Sequence, residues 1–243
     1  MLGLPAGDLI WIGGAAVLAG LVRGFAGFGT ALIYLPLASL SLSPIWALIT
    51  LTVMDLIGPL PNVQRAWREG RPREVGLLVV AAAVTVLPGL WVLQAIGTLG
   101  FRWLVAAICL LTVAALVSGW RWTERMTRPR ILAIGGTAGF FGGAAGLPGP
   151  PVILAYMAAP LPASSVRANV LLFLVAWDML FGAVLFLSGH LDTAAVILGA
   201  ALIPPYLIAN ITGAWLFRPH RERAYRILAY VLISASAVMA VTG

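Results

Sequence analysis

Eight apolar stretches, at residues 9–37, 44–63, 74–95, 101–119, 131–158, 164–187, 191–216 and 224–242, take up most of this chain and dictate what it can become. A backbone in lipid has no water to satisfy its N–H and C=O groups, so a spanning stretch closes its own hydrogen bonds as a helix of about 20 residues. Composition agrees: 61% of the residues are hydrophobic and 9% are charged. A soluble domain carries roughly 25% charged residues. The chain reads as an all-α polytopic integral membrane protein.

Six of the stretches fit one crossing each. The other two, 9–37 and 131–158, are too long for one span, too short for two, and interrupted by glycine. Such breaks occur where the backbone is buried in protein or lines a cavity, so both are expected to be re-entrant or discontinuous.

Charge tests the topology. All 15 basic residues are arginine, and 12 of them fall in three loops: Arg65, Arg68, Arg71 and Arg73; Arg121, Arg125, Arg128 and Arg130; Arg218, Arg221, Arg223 and Arg226. Short cytoplasmic loops carry the excess of arginine and lysine. Two spans separate the first cluster from the second, which puts them on one side. Three stretches separate the second from the third. If 131–158 is a re-entrant hairpin, all 12 face the cytoplasm; a plain eight-span chain, the alternative, leaves the third cluster outside. The net charge of +7 therefore reads as a topological address, and no nucleic-acid partner is expected. The first basic residue is Arg23, so the N-terminus lacks the positive region of a signal peptide and the first stretch is expected to stay. A single cysteine, Cys109, excludes an intramolecular disulfide.

The chain also repeats itself. At an offset of about 119 residues, Ala19-Gly20, Gly27 and Gly70 face Ala138-Gly139, Gly146 and Gly189, and with a short gap Asp55 faces Asp178. The order of features recurs: broken stretch, span with an aspartate in its second half, two further spans. This predicts two homologous four-element repeats, 1–119 and 131–243, joined by a basic linker at 120–130. With non-crossing hairpins each repeat has three crossings, an odd number, so the second is inverted. Inverted repeats with interrupted segments at matching positions point to a secondary transporter with its substrate near the midplane. The alternative is that the glycines merely allow close helix packing.

Arg23-Gly-Phe-Ala-Gly-Phe-Gly-Thr-Ala-Leu-Ile-Tyr-Leu-Pro36 and Gly139-Phe-Phe-Gly-Gly-Ala-Ala-Gly-Leu-Pro-Gly-Pro-Pro-Val152 resemble the two signature stretches of the sulfite exporter TauE/SafE family, also called the toluene sulfonate uptake permease family. The resemblance covers nearly the whole chain. It implies a bacterial or archaeal carrier of the cytoplasmic (inner) membrane for small anions such as sulfite, sulfonates, sulfoacetate or related organic acids. One departure is Pro148, where family members often have glycine; proline removes a backbone donor.

An anion can be held without lysine by backbone N–H groups at a helix N-terminus, to which the macrodipole adds roughly half a positive charge. On this reading Gly27, Gly29 and Thr30 in one repeat, and Gly146, Gly149 and Pro150 in the other, line the site. Arg23, deep in the first stretch, is a bidentate partner for sulfonate or carboxylate, an ion-pair partner of Asp55 or Asp178, or the snorkelled end of a half-helix. Arg167 is either a second anion contact or an anchor at a span end. Asp55 and Asp178 are either proton-coupling groups or counter-charges for a buried arginine. Tyr34, Tyr156, Asn62, Asn210 and Thr212 are further polar candidates, each more readily explained by packing.

His190 and His220 have no metal-ligand spacing, and neither metal nor cofactor is expected. No nucleophile elbow, zinc motif or phosphate loop is present, and the aspartates lack a presenilin-like context, so no catalytic residue is assigned. The partners expected are a small anion and the bilayer, with a homodimer left open. A passive anion channel, and behind it a membrane-embedded enzyme, are the competing functions.

Overall fold

The computed structural model describes residues 4–119, 126–216 and 222–243. Its elements are α1 (Ala6–Ala26), α2 (Thr30–Ala38), α3 (Pro44–Ile57), α4 (Leu60–Glu69), α5 (Pro72–Ser118), α6 (Arg128–Ala145), α7 (Gly149–Ala158), α8 (Ala163–Leu187), α9 (Thr193–Leu216) and α10 (Glu222–Thr242), with no strand among the described residues. Five of these helices, α1, α5, α8, α9 and α10, are long and apolar enough to cross a membrane; α3 and α4 taken together make a sixth, bent span.

Two stretches depart from one helix per crossing. The stretch 44–63 divides: Pro44–Ile57 and Asn62–Glu69 meet at 81°. Pro59 is the cause, since it has no N–H to extend the helix, although Gly58 before it keeps helical geometry at φ −55° and ψ −42°. The chain turns there through Asn62 N donating to Pro59 O at 2.9 Å. Conversely, the stretches 74–95 and 101–119 are joined in α5, whose 47 residues would extend about 70 Å if straight, over twice the hydrocarbon thickness. Gly97, at φ 64° and ψ −177°, breaks it. The first arm starts where Arg71 N donates to Asn169 Oδ1 at 2.6 Å and ends where Gln94 Nε2 lies 3.1 Å from His190 Nε2. The second returns, with Arg102 Nε donating to Ser39 O at 2.9 Å and Cys109 Sγ 3.5 Å from Leu32 O. These two changes are why the elements do not count as four per half.

Both glycine-broken stretches are hairpins. Along the first, Ser41 Oγ donates to Asp8 Oδ1 at 2.9 Å, Trp11 Nε1 to Leu37 O at 2.9 Å, and Arg23 Nη1 to Thr30 Oγ1 at 3.1 Å, so α2 runs back beside α1. In the second, α6 runs parallel to the first arm of α5, with Gly135 against Leu78 and Gly139 against Ala82. α6 thus starts at the end of the bundle where α5 starts. α7 returns to that end, since only residues 159–162 separate it from α8, whose first turns meet α5 through Asn169. Arg65, Arg68, Arg71, Arg73, Arg128 and Arg130 lie at this end. Arg226 joins them at the start of α10, where Tyr225 Oη donates to Leu216 O at 2.6 Å. Arg121, Arg125, Arg218 and Arg221 lie outside the described residues.

Close packing accounts for some of the glycines. α1 lies on α9 with Gly20 and Gly24 at the crossing, and a Cβ on Gly24 would sit 2.6 Å from Ala214 N. α6 lies on α5 through Gly135, Gly139 and Gly143 in the same manner. Small residues let helix backbones approach where no hydrophobic force drives them together.

Candidate functional site

The glycines at the breaks have a different task. α1 is closed by Gly27 at φ 79°, whose N–H donates to Arg23 O at 2.7 Å, and Gly29 at φ 105° precedes α2. α6 is closed by Gly146 at φ 69°. A side chain in this left-handed region costs about 1–2 kcal/mol. Gly146 is also crowded: a Cβ there would lie 2.9 Å from Leu35 Cδ1 and nearer still to Leu48 Cδ2. The second break is therefore pressed against α2 and α3, beside the first.

Where the breaks meet there is a cavity of about 40 Å³, lined by Arg23, Gly29 and Thr30 from one hairpin and by Gly146, Gly149 and Pro150 from the other. α3 contributes Thr52 and Asp55; α8 contributes Trp177 and Asp178. Such a volume holds roughly three waters at most, the size class of a small oxyanion.

The two hairpins supply donors unequally. The first hydrogen bond of α2 is Ile33 N to Gly29 O at 3.2 Å, so the N–H groups of Thr30, Ala31 and Leu32 precede any intrahelical acceptor, and all three residues line the cavity. α7 starts Gly149-Pro150-Pro151 behind Pro148. Proline has no N–H, which leaves Gly149 as the amide donor of these four residues. Pro148 thus leaves the free backbone donors concentrated on the first hairpin.

Charge is arranged just as unequally. Arg23 Nη1 donates to Asp55 Oδ2 at 2.9 Å and to Thr30 Oγ1 at 3.1 Å, with side-chain exposures of 11% and 10% for the ion pair. Tyr206 Oη, from α9, donates to Asp55 Oδ1 at 2.6 Å and lies 3.2 Å from Thr30 Oγ1. Both oxygens of Asp55 are therefore engaged. Both Arg23 bonds use Nη1; its Nε and Nη2 make no hydrogen bond among the described residues. Asp178 is buried too, and its Oδ2 has no hydrogen-bond partner among the described residues. The position 119 residues after Arg23 is Gly142, where a Cβ would run into the Trp177 indole. One half places a guanidinium where the other places an aromatic ring, which stacks on Phe181 with centroids 5.3 Å apart.

Of the residues expected from sequence, Arg23, Gly29, Thr30, Gly146, Gly149, Pro150, Asp55 and Asp178 come together on this cavity. Gly27 shapes the break without lining it. Arg167 sits in the opening turns of α8 at the arginine-rich end, about 16 Å from Asp178 along the helix, and does not line the cavity. Tyr34 is fully buried, with its hydroxyl donating to Thr50 Oγ1 at 2.8 Å, and Thr212 Oγ1 bonds Ile208 O at 2.7 Å. Those are packing roles. Trp177, which lines the cavity, and Tyr206, which holds Asp55 from behind, are the side chains at the site that sequence reasoning missed. Adjacency to Asp178 could have flagged Trp177; Tyr206 lies in an apolar stretch and carries no such signal.

A family model described as Sulfite exporter TauE/SafE matches residues 12–240, nearly the whole chain. No curated protein and no solved structure matches it.

Proposed function

Because the chain belongs to the sulfite exporter TauE/SafE family, a family of membrane transporters, we propose that it is a secondary transporter of small anions: sulfite, organosulfonates such as sulfoacetate, or related small organic acids. It works by alternating access in the cytoplasmic membrane of a bacterium or archaeon, with the arginine-rich end facing the cytoplasm.

One observation carries this reading: the unbonded N–H groups that open α2 and the Arg23 guanidinium border the same buried cavity as the second break. The α2 dipole places partial positive charge at those amides, and the guanidinium adds a planar fork suited to sulfonate or carboxylate oxygens. Arg23 needs no rearrangement to take part, because Asp55 and Thr30 hold it through Nη1. A site built at two chain breaks can change its access by moving one hairpin against the other, since few backbone hydrogen bonds cross a break.

The test is uptake of labelled sulfite and labelled sulfoacetate into proteoliposomes. Uptake is expected to saturate with concentration and to fall at least tenfold in Arg23→Gln. Conduction that never saturates would replace this reading with a passive channel, and no flux of either anion would overturn transport.

A further inference from the structure

Asp55 and Asp178 occupy matching places in α3 and α8 and border the same cavity, yet only one of them is neutralised. Asp55 accepts from Arg23 and from Tyr206. Asp178 is 8% exposed, and its Oδ2 is buried with no donor among the described residues. The Gly142 and Trp177 pairing removes the cation that symmetry would otherwise have supplied.

The charges around Asp178 can be followed helix by helix. α8 packs against α3, α4, α5 and α7. α3 brings Asp55, and α1 brings Arg23 across the cavity, with Tyr206 of α9 behind Asp55. α7 brings Tyr156, which is fully buried. Arg65, Arg68 and Glu69 of α4, with Arg71, Arg73 and Glu74 at the start of α5, lie at the arginine-rich end level with Ser165 and Asn169. That is about 13–20 Å back along α8. Arg102 of α5 is held at the opposite end by the Ser39 and Leu40 carbonyls, and Cys109 lies against Leu32. Among the described residues, the one cation near Asp178 is thus Arg23, already paired with Asp55.

An anion entering this cavity meets a carboxyl group with no partner. Were Asp178 ionised, two negative charges would share a space of about 40 Å³ around one compensated arginine. A protonated carboxyl there would offer an O–H donor where the second hairpin, rich in proline, offers a single amide.

We propose that Asp178 is the proton carrier of the site, loaded together with the anion, while Asp55 stays ionised as the fixed counter-ion of Arg23. One proton from the aqueous phase binds Asp178 Oδ2, the resulting O–H donates to the anion, and both are released on the far side as the carboxylate is regenerated. A monoanion and its proton then cross with no net charge. The proposal rests on the transport reading above and divides between the two aspartates a task that their matching positions would assign equally.

The experiment uses the full chain in proteoliposomes, with labelled sulfite and labelled methanesulfonate as probes, the second being a monoanion at every pH used. Wild-type methanesulfonate uptake is expected to rise at least fivefold under an inside-alkaline gradient and to change less than twofold under a potassium diffusion potential. Asp178→Asn is expected to lower gradient-driven uptake at least tenfold more than it lowers anion counterflow, lose the response to the pH gradient, and gain one to the potential. Asp178→Glu should restore the wild-type pattern. Gradient-driven uptake surviving in Asp178→Asn overturns the proposal. So does equal loss of counterflow and driven uptake in an Asn variant whose thermal unfolding matches wild type. If wild-type protein moves neither probe, even by counterflow, it is the transport reading that fails.

Discussion

Replacing Asp55 by asparagine keeps the size of the side chain and an acceptor for Tyr206, and removes the charge that matches Arg23. The guanidinium is 11% exposed and its carboxylate 10%, so water does little to screen the loss. Breaking a buried pair from one side typically costs about 3–5 kcal/mol, because the remaining charge is left without compensation. Against a total stability of roughly 5–15 kcal/mol, that is about a fifth or more of what holds the fold. Arg23→Gln should be milder, since Asp55 keeps the Tyr206 hydroxyl. The double variant places two neutral amides in hydrogen-bond reach and should be more stable than the sum of the single losses predicts by about 1–3 kcal/mol. Detergent-solubilised protein unfolded by increasing dodecyl sulfate, followed by tryptophan fluorescence, reads all four corners of the cycle. The reasoning is refuted if Asp55→Asn costs less than about 1 kcal/mol or if the two losses simply add.

Gly146→Ala combines a left-handed φ of 69° with a Cβ pressed on Leu35 and Leu48. It should cost about 1–3 kcal/mol and cut anion uptake severalfold at unchanged helix content by circular dichroism. Gly24→Ala should be destabilising by a similar amount by driving α1 off α9, whereas Gly14→Ala, with open space around it, should be neutral or stabilising by up to about 1 kcal/mol; equal melting temperatures for the two would contradict the crossing described. In a Cys109→Ala background, single cysteines at Arg68, Arg130 and Arg226 should share one pattern of accessibility to an impermeant maleimide in intact cells, protected until permeabilisation. Labelling of any one from outside would break the shared end.

The breaks were readable because glycine and proline act locally: Gly27, Gly29 and Gly146 adopt the backbone angles that made them conspicuous. So were the arginine-rich loops, whose charges cannot enter lipid. Arg23 and Asp55 stood out as charges inside apolar runs, and the structure pairs them. What sequence left open was which of two matching aspartates would be paired, since the answer lies at Gly142 and Trp177, where a missing side chain makes room for a ring. Tyr206 was invisible because its link to Asp55 spans 151 residues and its surroundings are uniformly apolar. Pro59 signalled a bend in α3–α4, yet an apolar count that tolerates proline read straight through it. Arg167 was drawn into the site by the argument that cations in apolar stretches meet anions; its distance from the breaks follows from where α8 begins.

The pairing of α1 with α9 and of α6 with α5 means that each broken hairpin leans on a helix from the other half of the chain. This sets an order of assembly. Arg23 and Asp55 emerge from the ribosome close together and can join at once, but Thr30 lies 176 residues ahead of Tyr206. At roughly 5–20 residues per second the first hairpin waits on the order of ten to thirty seconds in the bilayer before α9 arrives. Throughout that interval the glycine face of α1 lacks the helix it packs on, and the cavity between the two breaks is not yet closed by Tyr206 behind Asp55.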